Sequence, residues 1–130
     1  MPSDFVEHLN APTVLVVDDE AAVRDFIRIA LAHAGYAVYA AADAKHALEV
    51  FRANPKRFSL VLTDVRMPVR SGVELAADIR AIHPEVPVVF MSGFAGGTPS
   101  QPITLPTGAD VLEKPFALES LIQIIKQSTA

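Results

Sequence analysis

Short runs of apolar residues recur along the chain and alternate with longer segments in which apolar residues return at helical spacing. The runs lack the polar alternation of a half-exposed strand, as is typical of strands buried on both faces of a parallel sheet. They predict five strands, at 13–17, 36–40, 58–63, 86–91 and 109–112. Helical spacing predicts helices over about 20–34, 44–53, 73–83 and 117–127. Such an alternation implies right-handed crossovers and an α/β fold, with a mainly parallel sheet covered on both faces.

One segment interrupts the alternation. Between the fourth and fifth predicted strands the pattern calls for a helix, but residues 95–107 contain Pro99, Pro102 and Pro106 together with glycines. Each interior proline costs a helix about 3 kcal/mol. We therefore predict a loop, or at most one short helical turn, so that the fourth helix is degenerate or missing.

The composition is that of one folded domain. The chain has 130 residues, of which 51% are hydrophobic and 20% charged, which excludes a disordered chain. We expect a leader at 1–12, the domain at 13–127 and a tail at 128–130. The net charge of −4 argues against direct nucleic-acid binding. No apolar run approaches the ~20 residues of a membrane helix, so we expect no membrane insertion. The absence of cysteine suits the cytoplasm, the expected location.

Four of the predicted strands end in side chains that carry chemistry. The first strand leads to Asp18 and Asp19, the third to Asp64, the fourth to Ser92 and the fifth to Lys114. The carboxyl ends of parallel strands meet at the edge where open α/β sheets bind ligands. Three carboxylates there repel one another and favour a hard cation such as Mg²⁺. A phosphoryl group could then lie between the metal, the lysine and the serine, with a carboxylate as its nucleophile.

The chain resembles the receiver domain of bacterial two-component response regulators, the family of the chemotaxis regulators. Four motifs carry the resemblance over residues 13–127: VLVVDDE, LVLTDVRMPVRSGVEL, VVFMSGF and GADVLEKPF. Each motif alone is weak, but the four in order at strand ends are specific. The resemblance implies a flavodoxin-like doubly wound (βα)5 fold with a five-stranded parallel sheet, and a cis Lys114–Pro115 bond. The segment rich in Gly and Pro is similar to that of receivers in hybrid sensor histidine kinases.

The resemblance also implies roles for individual residues. Asp64 would accept a phosphoryl group from a histidine kinase or a histidine phosphotransfer protein. The implied Mg²⁺ ligands are Asp18, Asp19, Asp64 and the backbone carbonyl of Arg66. Ser92 would hydrogen-bond the phosphoryl group and Lys114 would pair with it. The phosphorylated domain would switch conformation for a downstream protein partner. This is a signalling domain, not an enzyme that acts on a separate substrate.

Three alternatives and two departures from the family stand beside this interpretation. A phosphatase or phosphotransferase of the haloacid dehalogenase type would need a second aspartate where Arg66 stands. A flavodoxin-like cofactor binder would need a phosphate-binding loop rich in Ser, Thr and Gly after the first strand. A degenerate receiver used only for protein contacts would not need the site residues that this chain keeps. One departure is Val111, at the position where receivers commonly carry a switching Tyr or Phe. The other is the segment 95–107, rich in proline and glycine, where the family places its fourth helix.

Overall fold

The computed structural model describes residues 11–93, 97–98, 101–102 and 104–129. Its strands are β1 Thr13–Val17, β2 Ala37–Ala41, β3 Phe58–Asp64, β4 Val88–Ser92, β5 Gly97–Thr98, β6 Gln101–Pro102 and β7 Asp110–Glu113. Its helices are α1 Ala21–His33, α2 Ala44–Ala53, α3 Gly72–Ile82 and α4 Leu118–Thr129. A 3-10 turn, Pro55–Arg57, leads into β3.

Five strands form one parallel sheet in the order β2-β1-β3-β4-β7. From β1 the chain adds β2 on one side, then crosses over to build β3, β4 and β7 on the other. The strand order therefore reverses between β1 and β3, and at such a point a crevice opens outside the carboxyl ends of the strands. The predicted α/β class and the doubly wound five-stranded parallel sheet are confirmed.

Helices cover both faces of the sheet. On one face Val14 and Val16 of β1 belong to a buried cluster with residues of α1 and α4, among them Leu31. On the other face Leu15 and Val17 belong to a cluster with residues of α2 and α3. Burial of one such side chain stabilises the fold by about 1.5–3 kcal/mol. This burial on both sides explains why β1 is apolar at every position from Val14 to Val17.

The segment that interrupts the sequence pattern contains no helix in its described part. The residue pairs Gly97–Pro102 and Thr98–Gln101 form a minimal antiparallel ladder between β5 and β6. Residues 104–106 have no regular structure, and Gly108 takes a positive φ of 76° in the turn before β7. Leu105 packs against the α2–α3 side of the core. The expectation of a loop in place of a multi-turn helix holds for these residues, while Pro99 lies outside the described ones.

Two strands start later than predicted, because backbone N–H groups near their predicted starts donate hydrogen bonds to turn or helix-end carbonyls. β2 starts at Ala37, because the N–H of Tyr36 donates to the carbonyl of Leu31 at the end of α1 (3.0 Å). β4 starts at Val88, because the N–H of Val86 donates to His83 in a turn (3.3 Å). α4 continues past 127 to Thr129. No helix within the described ranges is long and apolar enough to cross a membrane.

Candidate functional site

Two adjacent strands bring three carboxylates together. Asp18 and Asp19 follow β1, and Asp64 is the last residue of β3. The register pairs Val17 with Thr63, so the residues that follow emerge side by side. One carboxylate oxygen from each aspartate lies within 4.8 Å of the others. The strand order thus produces the carboxylate cluster that the sequence predicts.

Asp18 is the most firmly held member of the cluster. Its residue is completely buried. The backbone N–H of Glu20 donates to Oδ1 (2.9 Å) and the Lys114 ammonium donates to Oδ2 (2.7 Å). Its own N–H donates to the carbonyl of Ala41 at the end of β2 (3.2 Å). Because both carboxylate oxygens already have donors, Asp18 anchors the cluster, whereas Asp19 is exposed.

Lys114 supplies the cation that faces the carboxylates. It directly follows β7, and its backbone N–H donates to the carbonyl of Ser92 (2.8 Å). Its peptide bond to Pro115 is cis, as the resemblance implies. The ammonium nitrogen Nζ lies 2.7 Å from Oδ2 of Asp18 and 3.4 Å from Oδ2 of Asp64. Burial alone would lower the pKa of Lys114, but the Asp18 hydrogen bond and the charges of both aspartates outweigh it and raise that pKa.

Asp64 is held in a less favourable setting for a charge. Its side chain is 12% exposed. Burial raises its pKa above the ordinary aspartate value, and the negative charge of Asp18 adds to the rise. Lys114 and a backbone hydrogen bond from Arg66 act in the opposite direction without cancelling the rise. The charged form of this carboxylate is therefore disfavoured in the folded chain.

The backbone of Asp64 is tightly enclosed. The Thr63 hydroxyl donates to its carbonyl oxygen (3.0 Å). Gly72, the first residue of α3, lies against the same carbonyl, and a Cβ at this position would overlap the oxygen. The N–H of Gly72 donates to the carbonyl of Val65 (2.9 Å), and the N–H of Val65 donates to the carbonyl of Met91 on β4 (3.0 Å). These contacts fix the point at which β3 turns into the following loop.

The remaining predicted residues lie around the cluster. Ser92 is buried and ends β4, the strand next to β3. Arg66 lies two residues beyond Asp64 and is partly buried. The structure thus joins Asp18, Asp19, Asp64 and Lys114 by contacts, and places Ser92 and Arg66 on the adjoining strand end and loop.

Several residues that contact the site could not be predicted from the sequence. Arg24 donates to the backbone carbonyl of Asp18 (2.7 Å). Gly72 is visible in the sequence as a loop boundary, but no pattern shows that its missing side chain makes room for Asp64. The role of the Glu20 amide as a donor to Asp18 is also invisible, because it belongs to the backbone. Such contacts depend on how the loops fold, and no local sequence pattern marks them.

The donor set fits a hard divalent cation. Three carboxylates and nearby backbone carbonyls are the oxygen ligands that Mg²⁺ prefers, and Asp19 and Asp64 present the more open carboxylates. A buried nucleophilic carboxylate beside an ammonium and a cation site is also what phosphoryl transfer to aspartate needs. Fold and site together define a doubly wound α/β domain with an acidic cluster at its switch point.

Comparison with known proteins places this domain in a family. A family model described as the response regulator receiver domain matches residues 14–126. The chain belongs to this family, and it is a phosphoacceptor signalling domain of the two-component type.

Individual relatives include stand-alone and fused receivers. The chain is 36% identical over 114 residues to the response regulator receiver protein CpdR of Brucella abortus, covering 88% of this chain and 93% of CpdR. It is 35% identical over 115 residues to the sensor kinase CckA of the same organism, covering 88% of this chain but 12% of that protein. The crystal structure of the receiver domain from the hybrid histidine kinase CckA aligns with a TM-score of 0.78 at 32% identity, covering 91% of this chain and 99% of that one.

Proposed function

We propose that this domain accepts a phosphoryl group on Asp64 from the phosphohistidine of a histidine kinase or a histidine phosphotransfer protein. The observation that carries the proposal is the position of the Asp64 carboxylate, which lies within 4.8 Å of two further carboxylates and 3.4 Å from the Lys114 ammonium. Of these carboxylates, Asp18 already has a donor on each oxygen. Asp64 is therefore a better nucleophile than Asp18.

In the proposed transfer, a new bond to phosphorus replaces the bond between phosphorus and the donor. A carboxylate oxygen of Asp64 attacks phosphorus, and an O–P bond forms as the N–P bond to the donor imidazole breaks. The electron pair of the broken bond stays on the imidazole nitrogen. Such transfers depend mainly on positioning and on neutralising charge. Both are supplied by the enclosed backbone of Asp64 and by Lys114.

The proposed Mg²⁺ ligands are the Asp18, Asp19 and Asp64 carboxylates and the backbone carbonyl of Arg66. When bound, Mg²⁺ would neutralise charge on the phosphoryl oxygens and on the acceptor carboxylate. Lys114 would contribute the remaining positive charge, and the Ser92 hydroxyl would hydrogen-bond a phosphoryl oxygen. Ser92 suits this role because it ends the strand beside β3.

Phosphorylation would replace the single negative charge of the Asp64 carboxylate with a phosphoryl group that carries about 1.5 to 2 negative charges. Lys114 and Ser92 would be drawn toward it, and the loops after β3 and β4 would shift to change the surface for a downstream protein partner. Val111 stands in β7 where an aromatic switch residue is common, so the signal in this chain would not pass through a swinging ring. We propose residues 13–127 as the receiver unit, acting in the cytoplasm as a signalling domain.

Acetyl phosphate with Mg²⁺, followed by intact-mass measurement, tests the proposal. The wild-type chain should gain the mass of one phosphoryl group. Asp64→Asn should gain none, whereas Asp110→Asn, an exposed aspartate on β7, should label like the wild type. Labelling of Asp64→Asn to the wild-type extent would contradict the proposal.

A further inference from the structure

Arg24 makes a contact at the carboxylate cluster that the proposed chemistry does not use. It is the fourth residue of α1, and one of its guanidinium nitrogens donates to the backbone carbonyl of Asp18 at 2.7 Å. Its own N–H donates to the carbonyl of Glu20 in the first helical turn (3.1 Å). The guanidinium therefore links the rigid start of α1 to the end of β1.

The contacted carbonyl controls the direction of Asp19. The carbonyl of Asp18 and the N–H of Asp19 belong to one planar peptide unit. Rotation of that plane changes φ of Asp19 and moves its carboxylate. Asp19 is exposed, and the Glu20 N–H that donates to Asp18 Oδ1 belongs to the next peptide along the chain. Arg24 therefore holds the peptide from which the Asp19 carboxylate projects.

The Arg24 hydrogen bond does not occupy a carboxylate oxygen of the cluster. It ends on a backbone carbonyl, in contrast to the Lys114 ammonium, which contacts carboxylate oxygens of both Asp18 and Asp64. We propose that Arg24 is a positioning residue that holds the Asp18–Asp19 peptide so that Asp19 faces Asp64, and that it thereby sets the affinity of the cluster for Mg²⁺. This inference rests on the metal site proposed above.

The sign of the effect separates positioning from simple electrostatics. Loss of a cation near a Mg²⁺ site should by itself strengthen Mg²⁺ binding, because repulsion between like charges is removed. Loss of a residue that positions a ligand should weaken it, and outer contacts of this kind change metal affinity by about 10-fold or more. Arg24→Ala should therefore weaken Mg²⁺ binding by about 10-fold.

The experiment is a MgCl₂ titration of the whole ¹⁵N-labelled chain, followed by NMR at the amides that end β1 and β3. Arg24→Lys keeps a donor of similar reach and should bind Mg²⁺ close to wild-type affinity. Arg28→Ala is the matched control, because Arg28 is exposed on the same helix and pairs with Asp25 (3.0 Å). It should leave the affinity unchanged.

Three results would overturn the inference. Arg24→Ala could bind Mg²⁺ as tightly as the wild type or more tightly. Arg28→Ala could lose as much affinity as Arg24→Ala. Arg24→Ala could also lower the melting temperature in EDTA while its Mg²⁺ affinity stays the same, which is the result of a merely structural role. If the amide signals at the ends of β1 and β3 in the wild-type chain did not change with MgCl₂, the proposed metal site itself would be contradicted.

Discussion

At the scale of single residues, the carboxylates of the site differ in their hydrogen bonds and in their electrostatic surroundings. Asp18 is buried with a donor on each oxygen, whereas burial and the neighbouring Asp18 charge raise the pKa of Asp64. The five side chains at the strand ends could be predicted from the sequence, because polar residues that follow apolar runs are conspicuous. Their unequal roles could not, because these depend on the Glu20 amide and on the distance to Lys114.

Asp64→Asn should stabilise the metal-free domain at neutral pH. The raised pKa of Asp64 means that the folded state disfavours the carboxylate, so the penalty is present above the folded-state pKa. It disappears as the pH falls below the unfolded-state pKa, where the acid is protonated in both states. Lys114 keeps its partner Asp18 in the variant.

Thermal unfolding in EDTA between neutral and acidic pH measures this. The melting temperature of Asp64→Asn should exceed that of the wild type at neutral pH, and the difference should shrink on acidification. Asp110→Asn should show no such gain. A variant that is less stable than the wild type at neutral pH would show that the Asp64 charge is a net stabilising feature.

Gly72→Ala should damage the site through the backbone of the acceptor. The added Cβ would overlap the carbonyl oxygen of Asp64, and overpacking of this kind costs about 1–3 kcal/mol. Urea unfolding measures the loss. Gly93→Ala is the matched control, because a Cβ there meets nothing within 4 Å. Equal stability of the two variants would show that the loop after β3 yields freely.

At the scale of elements, the loop from β3 to α3 combines firm anchors with one strained residue. Ser71 and Glu74 form a reciprocal capping box at the start of α3, and Arg70 pairs with Asp78 on the same helix (2.7 Å). Between Pro68 and Arg70, Val69 adopts a positive φ of 72° and is fully exposed. A β-branched residue is disfavoured in that conformation, and the bond from the Arg70 N–H to the Pro68 carbonyl (2.8 Å) closes the turn around it.

Val69→Asn should therefore stabilise the domain. Asparagine tolerates positive φ, and the left-handed conformation costs an ordinary L-residue about 1–2 kcal/mol. We expect a gain of up to about 1 kcal/mol in urea unfolding. Val69→Ala keeps a Cβ at the same position and should gain less. An asparagine variant less stable than the wild type would mean that Val69 is held by contacts that outweigh its backbone strain.

The elements differ in how far the sequence predicts them. The long strands and helices could be predicted, because burial on both faces of β1 and β3 imposes continuous apolar runs, and packing on one side imposes helical spacing. The absence of a regular helix from the described residues between β4 and β7 follows from the prolines. The two-residue ladder of β5 and β6 could not be foreseen, because its pairing is made by backbone groups and leaves no side-chain pattern.

At the scale of the whole molecule, function follows from one feature of the topology. The strand order reverses between β1 and β3, and this places Asp18, Asp19 and Asp64 at one crevice although they are distant in sequence. Lys114 follows β7 at the edge of the sheet and reaches Asp18 across the ends of β4 and β3. The order of strands could be predicted only through the family resemblance, since alternation alone does not say which strands are neighbours.

We propose that Asp64, and not a neighbouring carboxylate, carries the phosphoryl group. An aspartyl phosphate is reduced by sodium borohydride to homoserine, which marks the position of the acyl phosphate. The most direct measurement is therefore peptide mass spectrometry of the acetyl phosphate-treated chain after borohydride reduction. We expect homoserine at position 64 alone. Homoserine at position 18 or 19, or a labelled chain with an intact Asp64, would contradict it.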